Sequence, residues 1–476
     1  MGWRVSTVTW SATASSGSEE NRTAGSGHAS PGSWAFPRTR FEKSFWTSVR
    51  LHLPAFGSYR ESTVTDASGS QLVDTPFGDC HSPMHPSEQR MDGSLRIAVV
   101  HSFYSSQVPS GENNVVLAQV SALESRGHDV RLIAQFTDEL ESSGTYKFRT
   151  AINVATQRGT SPLNELLEFK PDVVHVHNLF PNFSKTWVDS WNGPIVATLH
   201  NFRPVCAAGT LYRDGRPCTE CVDRGSHRSV VNRCYRDSAI ASIPLAIQTR
   251  SGVRGDALLR RADRIILLAD RAQKMFTSLG LEEHRTALLP NFVDQHGFAP
   301  HSAPGSNWTY IGRLTNEKGI LSLINSWPEN QHLRIFGDGP LRAEVESITS
   351  LLPHVEYHGS VPSSHVARIL SESRGLVFSS EWPEGAPLVY VEALAAGRPV
   401  IAREGNSVAD DVLAHGTGLV YTDSNQLTSS LLDVTQNWDL FHTRALSRFN
   451  ETYSMDAWTT KLENLYNSVI ERYEQR

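Results

Sequence analysis

Glu384 and Glu392 stand eight positions apart in the run Ser380-Glu381-Trp382-Pro383-Glu384-Gly385-Ala386-Pro387-Leu388-Val389-Tyr390-Val391-Glu392. The run reads as a loop entering a helix. Gly385 lets backbone come close to a ligand, Pro387 suits a first helical turn, and Gly397 suits the helix end. The N-terminus of such a helix turns unpaired N–H groups and a positive dipole end toward an anion. Two carboxylates first suggest hydrolysis of a glycosidic bond, which needs them roughly 5–9.5 Å apart around that bond. If the segment were helical throughout, a rise of about 1.5 Å per residue would separate them by roughly 12 Å. That spacing favours two acids gripping different hydroxyls of one extended ligand. The plain alternative is a helix with one exposed acid and one acidic cap.

Cations come earlier, in Gly312-Arg313-Leu314-Thr315-Asn316-Glu317-Lys318-Gly319. Arg313 and Lys318, five positions apart at a strand-to-helix turn, suit a diphosphate: one as a bidentate fork, the other as a mobile point charge. A solvated Lys318 beyond a helix start is the alternative. Nearer the N-terminus, Pro109-Ser110-Gly111 follows a strand pattern, and Gly111 is a candidate phosphate-facing glycine or simply a turn residue. The role of the next residue, Glu112, stays open. The strand ending at Leu199 delivers His200-Asn201 to its C-terminal end, while His175 and His177 alternate with Val176 and should share one face. For these two, buried and hydrogen-bonded core positions are the favoured reading. Cys206, Cys218, Cys221 and Cys234 include a Cys-x2-Cys pair, which makes them either a structural zinc site or packed thiols.

The elements that must position these residues alternate between strand and helix. Apolar runs read as strands at 96–101, 130–135, 171–177, 194–199, 264–269 and 286–290. A second series follows at 308–312, 333–337, 354–359, 375–379, 399–403 and 418–421. A connector rich in Pro and small residues, 298–306, lies between the series. Such alternation implies α/β architecture with parallel sheets wound on both faces. Two units of this kind give two Rossmann-like, doubly wound domains, at 94–298 and 299–454, with a cleft between their strand C-termini. Residues 455–476 read as a final helix returning to the first domain. Residues 1–93, rich in Ser, Thr, Gly and Pro, lack an apolar face and read as a disordered tail or a mis-called start before Met84 or Met91.

The Glu-x7-Glu run resembles the signature of retaining glycosyltransferases of family 4, which have the GT-B fold. The Gly-Arg-Leu…Lys-Gly run, the Gly111 loop and His200 resemble further motifs of that family. The resemblance covers residues 95–471. It implies a donor site of Gly111, Arg313, Lys318, Glu384, Gly385, Ala386, Pro387, Leu388 and Glu392. Within that site Glu384 would face the sugar, Glu392 the ribose, and Arg313 and Lys318 the leaving diphosphate. His200 would join Glu384, Arg313 and Lys318 at the reacting centre. Transfer of a sugar from a nucleotide-diphosphate sugar to a hydroxyl acceptor would then need no cofactor for catalysis. A similar Cys-rich insert after the His-Asn pair occurs in a subset that builds cell-surface polysaccharides.

Other classes fit less well. The chain has 476 residues and a net charge of −6, so it has no bulk attraction to nucleic acid. A nicotinamide enzyme would need Gly-x-Gly-x-x-Gly directly after the first strand, and that motif is missing there. A GT-B phosphorylase would need a pyridoxal lysine, and a catalytically inactive GT-B binding protein remains the rival reading. No apolar stretch is long enough to span a membrane, and no signal-peptide pattern is visible, so the expectation is cytoplasmic. Residues 201–264 hold twelve Arg, no Lys and six acids. That local excess points to an anionic or lipid-linked acceptor and peripheral contact with a membrane, or else to a solvated basic face.

Overall fold

In the computed structural model, the described residues are 93–104, 111–141, 144–295, 297–298 and 303–476. Residues 1–92 of the tail expected at 1–93 lie outside them, as does Ser110 of the glycine turn.

The apolar runs form two six-stranded parallel sheets. The first contains β1 (Arg96–Phe103), β2 (Asp129–Phe136), β3 (Val173–Val176) and β4 (Ile195–Leu199). After a small antiparallel hairpin, β5 (Tyr212–Arg213) and β6 (Arg216–Pro217), it is completed by β7 (Arg264–Leu267) and β8 (Thr286–Leu288). Its order is β2-β1-β3-β4-β7-β8. The second contains β9 (Trp308–Ile311), β10 (Leu333–Phe336), β11 (Val355–Tyr357), β12 (Gly375–Phe378), β13 (Val400–Arg403) and β14 (Gly418–Tyr421), in the order β11-β10-β9-β12-β13-β14. Ile97 to Val100, Val173 to Val176 and Ile195 to Ala197 are fully buried. Parallel strands covered on both faces require such continuous apolar runs.

Each sheet separates two apolar layers. One face of the first sheet packs Val100, Val174, Ile195 and Ile265 under Trp187 and Phe276. Its other face packs Ile97, Val99 and Ile266 against Trp458, Leu462 and Tyr466 of the last helix, Met455–Glu474. Ser454 caps that helix by accepting from the Ala457 N–H. Trp458 also donates to the Pro290 carbonyl.

Strand order reverses direction between β1 and β3 in the first sheet and between β9 and β12 in the second. Ligands of doubly wound sheets bind beyond the strand C-termini at such switch points. The two switch points carry Gly111 and His177 in one sheet, and Arg313 and Glu384 in the other.

Candidate active site

Lys318 reaches the site through the turn that follows β9. Gly319 adopts φ +65°, and a Cβ there would lie 2.3 Å from the Ser379 carbonyl oxygen, so only glycine fits. The close approach lets Ser379 Oγ donate to the Lys318 carbonyl at 2.8 Å. The Lys318 ammonium then meets Glu384 Oε2 at 2.6 Å. Glu384 is buried, and its Oε1 has no hydrogen-bond partner. Arg313, on the same turn, is exposed, and no described residue pairs with its guanidinium. One cation therefore neutralises the buried acid, and the second is available for an anion.

The Glu384 loop is held from several sides. Ser407 Oγ donates to the Glu384 and Gly385 carbonyls. Asn291, from the first domain, donates to the Ala386 carbonyl at 2.7 Å. Trp382 Nε1 reaches the Thr210 carbonyl just before the β5–β6 hairpin. Gly385 faces Leu268 and Gly111 faces Leu388, so both glycines sit where the two domains meet. A Cβ at either position would make only ordinary contacts of 3.6–3.7 Å, so steric demand does not explain these two glycines.

The helix after the loop runs Leu388–Ala395. Pro387 precedes it as the N-cap, at φ −68° and ψ 128°, rather than occupying the first turn as expected from sequence. Tyr390, Val391, Ala393 and Leu394 are buried in the second domain's core. Glu392 shares this helix, and loss of hydration pushes its carboxyl up to about 7. No described residue bonds or ion-pairs with it. Such a carboxyl suits a ligand that brings its own hydroxyl donors.

Opposite these groups, the C-terminal ends of β1, β3 and β4 carry a set of imidazoles. His175 and His177 stack at 4.3 Å, and His177 stacks on His200 at 5.2 Å. His177 Nδ1 and His200 Nε2 share a hydrogen bond of 2.9 Å. His175 is a core residue, bonded to Tyr466, Thr198 and Gln119. Burial lowers all of them, His101 to about 4 and His175 and His200 to about 3, with His177 well below its usual value. The set is therefore neutral at pH 7, and the His177 contact fixes the orientation of the His200 ring.

Sequence reasoning missed the polar neighbours of Glu112. Its carboxyl sits beside Asn178, Asn201 and Arg203, and desolvation pushes it up to about 7. Glu112 Oε1 and Arg203 Nε are buried without partners. Arg203 also stacks over Phe180 at 4.2 Å. The only signal in the chain was adjacency: Asn201 and Arg203 directly follow His200.

Cys206, Cys218, Cys221 and Cys234 are free thiols. They lie near enough to influence one another, and burial with these neighbours pushes Cys221 up to about 12. Zinc would need thiolates converging on one point. Among the described residues no three His, Cys, Asp or Glu side chains are placed to hold a metal ion. The zinc expectation therefore gains no ligand geometry. No described helix is long and apolar enough to cross a membrane.

Apart from β1, the strands of both sheets fall in segments that match known protein families. Residues 109–296 match the family described as Glycosyltransferase Family 4, and residues 305–437 match Glycosyl transferases group 1. An exopolysaccharide phosphotransferase of Streptomyces coelicolor is 30% identical over 197 residues, which is 38% of this chain and 20% of that protein. The chain spans less than half the length of this and the next two curated relatives. Sucrose-phosphate synthase from Thermosynechococcus elongatus superposes with a TM-score of 0.58 at 17% identity, covering 79% of this chain and 99% of that one. Anabaena HepE in complex with UDP-glucose gives a TM-score of 0.50 at 14% identity, over 79% of this chain and 100% of that one. At these identities the structural likeness speaks for the fold. Two six-stranded Rossmann-like sheets, each overlapping a glycosyltransferase family match, give the chain the GT-B fold with glycosyltransferase-like sequence in both domains.

Proposed function

We propose that this protein transfers a sugar, with retention of configuration, from a nucleoside-diphosphate sugar to a hydroxyl of a lipid-linked or polysaccharide acceptor. The carrying observation is the pairing of Lys318 with the buried Glu384, beside an Arg313 that no described residue neutralises. Arg313 and Lys318 would hold the diphosphate and stabilise the charge that develops as it leaves. They supply the positive charge that a divalent ion would otherwise bring. Glu392 would accept hydrogen bonds from the ribose hydroxyls, and Glu384 would face the sugar. A UDP-glucose complex of a protein with the same fold supports a nucleotide donor.

Chemistry would pass through an oxocarbenium-like state. The C–O bond to the diphosphate breaks, and the acceptor oxygen bonds to the anomeric carbon from the same face. The leaving phosphate oxygen takes the acceptor proton. His200, neutral and braced by His177, would contact the reacting sugar or the acceptor.

A thermal-shift and turnover panel of UDP-, GDP-, ADP- and TDP-sugars tests this reading. One nucleotide class should stabilise the protein and show sugar release. Arg313→Ala should lose that stabilisation while keeping the melting temperature of the free protein, because the guanidinium is exposed. A folded protein that responds to no nucleotide would overturn the proposal.

A further inference from the structure

Thirteen large apolar side chains are exposed among the described residues, and their distribution is uneven. Seven fall no more than one to an element, and single exposed apolar side chains are ordinary on a protein surface. The other six lie on three helices, Ala239–Thr249 and the two that pack against it, Tyr146–Thr156 and Arg228–Val231.

On Ala239–Thr249 the inner face buries Ser242, Leu245, Ala246 and Thr249. Ile240, Ile243 and Ile247, at 80%, 44% and 40% exposure, recur at intervals of three and four and so form one outward stripe. On Tyr146–Thr156, Val154 is buried, while Phe148 and Ile152 stand out at 74% and 46% four positions apart. Val231 adds a sixth side chain at 62%. A helix that is apolar on both faces, with only one face covered, needs something to cover the other.

The charges around the stripe identify what covers it. Lys147 and Arg149 flank Phe148, Arg233 and Arg236 fill the stretch before the isoleucines, and Arg250 follows them, all exposed. Asp237 is the one exposed acid within these stretches. A second copy docked on the same face would bring these cations against their own equivalents. Apolar side chains rimmed by Arg and Lys match an anionic bilayer surface, with ridge side chains entering the acyl boundary and cations meeting headgroup phosphates.

We propose that this three-helix ridge docks the protein onto an anionic membrane. Its inner face shares an apolar cluster with Phe180, Ala207, Tyr104 and Tyr235, beside the Glu112–Arg203 group. Docking would thus bring the acceptor side of the cleft to the lipid surface. This extends the sugar-transfer reading toward a lipid-borne acceptor, but the docking itself is independent of donor chemistry.

The test is co-sedimentation of the full chain with vesicles of phosphatidylcholine alone or containing about one third phosphatidylglycerol. Wild type should bind the anionic vesicles and bind pure phosphatidylcholine at least about tenfold more weakly. Phe148→Asp with Ile240→Asp should lower anionic-vesicle binding at least about tenfold. Arg233→Glu with Arg236→Glu should lower it and remove much of its salt dependence. All these side chains are exposed, so melting temperature and nucleotide-induced stabilisation should stay as in wild type, which separates docking from the donor site. The proposal is overturned if wild type ignores anionic vesicles or if the variants bind them equally well. It is equally overturned if wild type is a dimer that Ile240→Asp splits, since the stripe would then cover a second copy.

Discussion

Lys318→Met is expected to lower kcat by about 10²–10³-fold and to destabilise the free protein by about 3–5 kcal/mol. The two losses share one cause. Lys318 Nζ lies 2.6 Å from the carboxylate of a buried Glu384 whose other oxygen has no partner. Removing the ammonium strands a charge where water cannot solvate it, whereas removing both charges is close to neutral for stability. The double variant Lys318→Met/Glu384→Gln should therefore recover most of the stability, read by denaturant unfolding, and none of the turnover. Full stability in the single variant would show that the pair does not hold the loop. Recovered turnover in the double variant would remove both residues from the chemistry.

Nucleotide affinity should depend on pH through Glu392. Burial raises this carboxyl to about 7 in the free protein, so it is largely protonated under mildly acidic conditions. Ribose hydroxyls bind best as donors to the ionised form. Affinity should then rise as pH climbs through 7 and fall by up to about tenfold per unit below it, giving roughly 30-fold weaker binding at pH 5.5 than at pH 8.5. Glu392→Gln should bind weakly and lose this dependence. The same shift affects stability with a definite sign. A carboxyl whose folded pKa lies above its unfolded value binds more protons when folded, so its contribution falls as pH rises from about 4.5 toward 7. Glu392→Gln should therefore be relatively more stable than wild type at pH 8, and by less at pH 5. Titration of nucleotide binding by calorimetry at several pH values checks the first effect. A variant that keeps the wild-type pH profile would show that another group, such as Glu112, sets it.

Much of the fold was legible because its signals are local. A strand buried on both faces must be a continuous apolar run, and twelve such runs interleaved with helical stretches leave little beyond two doubly wound sheets. The placement of the candidate site residues was legible to the same depth: Arg313, Lys318, Glu384 and Glu392 follow strand ends, and the topology sets strand ends at switch points. Their pairing was not legible. That Lys318 would meet Glu384, 66 positions away, depends on Gly319 closing against the Ser379 carbonyl across neighbouring strands β9 and β12. The same holds for Glu112 among Asn178, Asn201 and Arg203, and for the imidazoles brought together from β1 and the ends of β3 and β4. The four cysteines gather in the fold, and their spacing left open whether they bind zinc or pack as thiols. Chain pattern alone determined which residues sit at strand ends and which faces are apolar, because both follow from backbone period and burial. Tertiary structure alone decided which charges are neutralised, which are desolvated and which apolar face is left uncovered, because each of these depends on groups far apart in sequence.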